Sequence, residues 1–211
     1  MGVSTFDINS FKLRDSSVAI ANSNRTDMLK LIRAVINYRN LKGKELSTQD
    51  NDSYKTAKIL GFNIDDSDGK FEYLCGHESF ITVIDDITTG NVRSNAGYGM
   101  LRKKLDIIGR SLADLPIVIN GDREKLRDIH SGKNAIYSYG IENQYSRFKA
   151  YDISWLAQGS RFFVDCGGKE YRLTVPLRGR NGIYGALAAF TVGYLYGIDP
   201  QITAGIIENR S

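Results

Sequence analysis

Carboxylates are the most conspicuous groups able to do chemistry in this chain. Asp65, Asp66 and Asp68 crowd in front of Gly69, and Asp85 and Asp86 follow the apolar run Phe80 to Ile84. Hard cations take such oxygens, so the first cluster invites a calcium reading. An EF-hand loop, however, spaces its acids as D-x-D-x-D-G and closes on a distant Glu, and this chain has no such spacing. A solvated turn accounts for the cluster. Soft-metal ligands are sparse: Cys75 and Cys166 stand alone outside any CxxC, which argues against a zinc site or a disulfide framework. His77 and His130 are the only histidines, which excludes a His-rich site. Lys30, Arg33, Arg39, Lys42 and Lys44 form one basic run, and Arg102, Lys103 and Lys104 another. Phosphate contacts need such groups, but solvated helix faces carry them too.

Composition narrows the class. The 211 residues are 42% apolar and 25% charged, with a net charge of +4 and a pI near 9.0. That suits a globular protein of one domain, or one domain with a sub-lobe. So small a charge does not identify a nucleic-acid or membrane partner. The N-terminus lacks the apolar stretch of a secretory signal, and no apolar run reaches membrane-spanning length. The expectation is a cytoplasmic protein.

Positioning falls to a recurring strand–loop–helix order. Ser17 to Ala21 reads as a buried strand, 22–27 as a polar turn, and Met28 to Tyr38 as a helix. Its apolar face holds Met28, Leu31, Ile32, Val35 and Ile36, with Lys30, Arg33 and Arg39 opposite, and Thr26 or Asp27 is a natural N-cap. Residues 41–53 read as loop and Tyr54 to Leu60 as one or two helical turns. Strands are expected at Phe71 to Leu74, Phe80 to Ile84, Pro116 to Asn120 and Ala135 to Tyr139. Helices are expected at Tyr98 to Leu112 and Arg123 to His130. The pattern then changes to a meander of Tyr151 to Leu156, Arg161 to Val164 and Tyr171 to Val175, with Gly167–Gly168 in the last turn. A helix follows Asn181, and Pro200 opens a last one ending at Glu208. Gly185, Ala186, Ala188, Ala189 and Gly193 allow the penultimate helix to pack closely on a neighbour. The reading is an α/β fold, a mostly parallel sheet flanked by helices with a small antiparallel three-strand meander. Its parts are 15–140 (parallel α/β), 150–177 (meander) and 181–208 (helices).

From Phe80 onward the series ITVIDDITTGNVR, LRKKLDIIG, IVINGDRE, AIYSYGI, the meander and PLRGRNGIYGALAA resembles the central, P-loop-like domain of the Mur ligases. These are the ATP-dependent amide ligases of peptidoglycan precursors, and the look is closest to the tripeptide-forming members. The resemblance implies that the first strand runs into a phosphate-binding loop. In that register Ser23 and Asn24 lie in the loop, Arg25 replaces a glycine, Thr26 the phosphate-binding lysine and Asp27 the magnesium-binding threonine. A P-loop needs glycines and a cation around the phosphates at a helix N-terminus, and Asp27 puts a carboxylate there instead. The resemblance also implies that Asn120, Asp122 and Asn181 lie on the adenine side, and that Asp86, Asn91 and Lys103 or Lys104 fall near the magnesium equipment. Strand-end turn, helix cap and surface lysine are the alternative readings of these residues. The family's UDP-binding and amino-acid-binding domains are expected to be absent.

The first functional expectation is a degenerate Mur-ligase-like domain without ligase chemistry. It would be a binding or regulatory module linked to cell-wall precursors, with a protein partner or a second copy of itself. The second is an ATP- and magnesium-dependent ligase, or ligase subunit, completed by a partner chain, with Ser23, Asn24, Arg25, Asn120 and Asn181 lining the nucleotide site. The third, resting on the basic runs alone, is a nucleic-acid binder.

Overall fold

The computed structural model describes residues 18–21, 26–46, 59–62, 81–86, 116–127 and 136–209. Eight strands form one sheet: β1 (Val18–Ala21), β2 (Ile59–Phe62), β3 (Ile81–Ile84), β4 (Ile117–Asn120), β5 (Ile136–Gly140), β6 (Phe148–Leu156), β7 (Gly159–Cys166) and β8 (Lys169–Val175). Their spatial order is β2-β1-β3-β4-β5-β6-β7-β8. Pairing is parallel from β2 through to β6, and antiparallel for β6–β7 and β7–β8. The helices among the described residues are α1 (Thr26–Leu46), α2 (Glu124–Arg127), α3 (Gly179–Leu195) and α4 (Pro200–Asn209).

The apolar runs explain the parallel part. A strand covered on both faces needs apolar residues in succession, and every residue of β3 (ITVI) and β4 (IVIN) is buried. β6 begins with buried Phe148 and Ala150 alternating with half-buried neighbours, then runs out to an exposed tip at Trp155 and Leu156. The meander is not a separate sub-lobe. Tyr139 pairs with Phe148 in parallel, so β6 closes the parallel sheet and opens the antiparallel one. Gly167 and Gly168 turn the last hairpin at φ 63° and 84°, the geometry of a two-residue turn matched to strand twist. Asp165 accepts the Gly168 N–H at 2.8 Å there.

α3 is the central helix. Thirteen of its residues are buried, so it is enclosed on nearly all sides rather than amphipathic. Its small residues set the approach of its neighbours. A Cβ on Gly185 would lie 3.4 Å from Met28 Cα of α1, and one on Gly193 would lie 2.6 Å from Thr203 Cγ2 of α4 and 3.2 Å from Val35 Cγ1. Gly197, at φ 68°, ends α3. The Ile198 N–H reaches the Gly193 carbonyl at 3.0 Å, closing the helix end. Asp199 then caps α4 by accepting from the Gln201 and Ile202 amides at 2.8 and 3.2 Å, with Pro200 in the first turn.

Several expectations are corrected. α1 runs on to Leu46, through residues 41–46 that read as loop. Leu41, Lys42, Lys44, Glu45 and Leu46 are good helix formers, and only Gly43 opposes them. Ile59–Phe62 is a strand paired with β1, not part of a helical turn, since a short apolar run does not distinguish the two by itself. Met28, Leu31, Ile32, Val35 and Ile36 are buried as expected, but Arg39 is half-buried rather than on the solvent face. Its guanidinium lies over the Tyr196 ring at 4.7 Å. α3 begins at Gly179, so Asn181 lies inside its first turn and Arg178 holds the cap position. The expected strand 71–74 and helix 98–112 lie outside the described residues, as does the acidic cluster 65–69.

Candidate functional site

In open α/β sheets, ligand sites form beyond the C-terminal ends of the strands. Here the ends of β3, β4 and β5 carry a connected polar network. Asp85, directly after β3, is wholly buried. It accepts from Asn120 Nδ2 at 3.0 Å and from the Tyr139 hydroxyl at 2.8 Å, both on Oδ1. Asn120, the last residue of β4, is also wholly buried. Its Oδ1 accepts the Asp122 N–H at 3.1 Å. A buried carboxylate is costly unless such donors meet it.

Asp122 closes the next turn. Its carboxylate accepts the N–H groups of Ile141 at 2.7 Å, Glu142 at 3.1 Å and Asn143 at 2.7 Å, and the Tyr184 hydroxyl at 2.9 Å. Burial pushes the Asp122 carboxyl up, but the bonds from the Ile141, Asn143 and Glu142 amides and from Tyr184 together hold it below the ordinary aspartate range. Burial first, and then the bond to Asp122, raises the Tyr184 hydroxyl. Gly140 makes room for this approach, since a Cβ there would lie 2.6 Å from Asp122 Oδ1.

Charged groups frame the network. Arg123 Nη2 lies 3.5 Å from Asp86 Oδ2, with its guanidinium 5.9 Å from the centre of the Tyr184 ring. Arg180, in the first turn of α3, pairs with Glu142. Asp27 lies in the first turn of α1, beside β1, and is exposed and 3.5 Å from Lys30. A carboxylate at that positive helix end satisfies it electrostatically.

Among the residues expected to bind nucleotide, Asn120 and Asp122 are brought together, and both direct their polar atoms into the protein. Asn181 is exposed on α3. Thr26 is the first residue of α1. Ser23, Asn24 and Arg25 lie outside the described residues, as do Asn91, Lys103 and Lys104 of the expected magnesium equipment. Asp86 is described, and its partner is Arg123. Among the described residues no group of three or more His, Cys, Asp or Glu is arranged to hold a metal, and the side chains of Asn120 and Asp122 are hydrogen-bonded within the protein. Sequence reasoning did not single out Asp85, Tyr139 and Tyr184 as members of this network. The available signal for Asp85 was its place directly after a strand of four apolar-to-neutral residues. Tyr184 gave none, lying 62 positions from Asp122.

Comparison with known proteins agrees with this architecture. Residues 99–193 match the Mur ligase middle domain. The chain is 28% identical over 106 residues to the UDP-N-acetylmuramoyl-tripeptide–D-alanyl-D-alanine ligase of Bacillus subtilis, covering 50% of this chain and 22% of that protein. It is 38% identical over 80 residues to the UDP-N-acetylmuramate–L-alanine ligase of Leuconostoc mesenteroides, covering 37% and 18% respectively. Among solved structures, MurF from Acinetobacter baumannii superposes with a TM-score of 0.72 at 14% identity, over 93% of this chain and 46% of that one. The UDP-N-acetylmuramate:L-alanyl-gamma-D-glutamyl-meso-diaminopimelate ligase (MPL) from Neisseria meningitides gives 0.70 at 16% identity, over 97% and 68%. The matched part is thus about a fifth of the curated relatives and about half of the MurF chain. No helix among the described residues is long and apolar enough to cross a membrane. The ordered strands, the central small-residue helix and the matched segment make this chain similar in fold to the Mur ligase middle domain, with residues 99–193 matching that domain in sequence.

Proposed function

We propose that this chain is a Mur-ligase middle domain that serves as a binding or regulatory module in cytoplasmic cell-wall precursor metabolism and does not itself ligate. One observation carries the reading: the polar groups at the C-terminal edge of the sheet are committed to the protein. Asn120 is bonded to Asp85 and to the Asp122 amide. Asp122 is bonded to successive backbone amides and to Tyr184. Asp27 adds a negative charge at the helix end where a triphosphate would need a positive one. The sheet edge then works as a rigid frame, and recognition falls to groups around it. The relatives act on UDP-N-acetylmuramoyl compounds by name, so a UDP-N-acetylmuramoyl peptide is the ligand class proposed here.

Calorimetric titration tests this directly. The expected result is no heat of binding with ATP and magnesium at millimolar concentration, together with saturable binding of a UDP-N-acetylmuramoyl peptide. Micromolar ATP binding would overturn the reading in favour of a ligase subunit completed by a partner chain. Absence of binding to either compound would remove the precursor as ligand.

A further inference from the structure

The β6–β7 hairpin carries adjacent large apolar side chains in the open. β5 pairs with β6 only through Tyr139–Phe148 and Gly140–Lys149. Ala150 to Leu156 therefore run on past the end of β5, with β7 as their neighbour. At the tip, Trp155 lies opposite Ser160 and Leu156 opposite Gly159. Trp155 is 57% exposed and Leu156 36%, two of the four large apolar side chains exposed among the described residues. Successive strand residues point to opposite faces, so the tip is apolar on both sides.

The segment after β8 holds this tip in place. Arg178 Nη2 donates to the Ala157 carbonyl, and Ser160 Oγ donates to the Leu177 carbonyl at 3.2 Å. Gly159, at φ 147°, lies close against Pro176, since a Cβ there would be 2.7 Å from Pro176 Cα. Charge at this end has one sign. Residues 153–161 and 175–181 contain Arg161, Arg178 and Arg180 and no Asp or Glu. Arg161 and Arg178 are exposed, while Arg180 is paired with Glu142. Asp152 sits lower on β6, at the register shift. Asp165 and Glu170 lie opposite each other towards the other end of the meander.

An exposed indole and leucine flanked by arginines suit a bilayer surface with anionic headgroups. Indole favours the boundary between headgroups and hydrocarbon, and basic residues are drawn to anionic lipid. A groove on a protein would meet one face of the hairpin, whereas this tip is apolar on both. It is also narrow for the area that a stable protein interface needs.

We propose that the β6–β7 tip is a membrane-docking site, at which Trp155 and Leu156 enter the interface of an anionic bilayer and Arg161 and Arg178 lie against its phosphate headgroups. The contact is peripheral and reversible, since so small an apolar tip does not anchor a protein by itself. It uses no residue of the network at the strand ends and is independent of the ligand proposed above.

Trp155 is the chain's one tryptophan, so its fluorescence reports on the tip. The full chain is mixed at low salt with vesicles of equimolar phosphatidylglycerol and phosphatidylcholine. The expected result is co-sedimentation, a blue shift of Trp155 emission and its quenching by brominated acyl chains, with weak binding to phosphatidylcholine alone. Arg161→Glu and Leu156→Ser are each expected to weaken binding about tenfold, with unchanged thermal midpoints showing that they fold. Absence of co-sedimentation with the anionic vesicles would overturn the proposal and leave the tip to a protein partner. Co-sedimentation without the blue shift would also overturn it, placing the contact on another basic face such as that of Lys30 and Arg33. So would equal binding by wild type and both variants.

Discussion

The Tyr184 hydroxyl donates to Asp122 Oδ2 at 2.9 Å, joining the first turns of α3 to the end of β4 across 62 positions of chain. The same carboxylate holds the amides that follow β5. One side chain therefore ties a central helix to two strand ends.

Removing that carboxylate has a defined cost. Asp122→Ala is expected to destabilise by about 2–3 kcal/mol, and Tyr184→Phe by about 1 kcal/mol, as the site is only partly buried. The Asp122 pKa is lowered in the fold. Its ionised form therefore contributes in full above the ordinary aspartate value, and the contribution is lost as pH falls through the lower folded value. Urea unfolding of wild type and Asp122→Ala should accordingly differ at neutral pH, with the difference shrinking as pH falls below the ordinary aspartate value.

Asn120 and Tyr139 share one acceptor, Asp85 Oδ1. Asn120→Ala leaves the buried Asp85 with one donor fewer and is expected to cost about 2–3 kcal/mol. Because both donors serve one atom, Asn120→Ala and Tyr139→Phe should couple by about 0.5–3 kcal/mol in a double-mutant cycle. Additive losses would show that the two donors act independently.

Helix packing makes opposite predictions for two glycines. A Cβ at Gly193 would press on Thr203 at 2.6 Å, while nothing lies within 4 Å of one at Gly205. Gly193→Ala is therefore expected to lose about 1–3 kcal/mol by overpacking. Gly205→Ala, within α4, should gain about 0.5–1 kcal/mol. Thermal midpoints read both changes.

Asp152 holds a φ of 49° at the register shift in β6. Asp tolerates this region better than most residues, and a β-branched side chain tolerates it poorly. Asp152→Val is expected to cost about 1–2 kcal/mol, and Asp152→Gly to change stability by about 0.5 kcal/mol or less. Equal losses for both variants would point to the carboxylate rather than the backbone as the determinant.

Local patterns in the sequence determined the α/β class, the apolar face of α1, strands β1, β3, β4 and β5, the hairpin turn at Gly167–Gly168 and the close packing of α3. Each follows from spacing or residue type within a few positions. The ordered motifs likewise pointed to the Mur ligase family. Tertiary structure alone decided the rest. β2 is a strand because β1 offers it a parallel partner. β6 joins the two parts of the sheet because Phe148 meets Tyr139. Arg39 turns inward because Tyr196 lies beneath it. Asp85, Asn120, Asp122, Tyr139 and Tyr184 became one network only when distant strand ends were brought together. A residue's type states which bonds it can make, and the fold decides which partner, often tens of residues away, is there to make them.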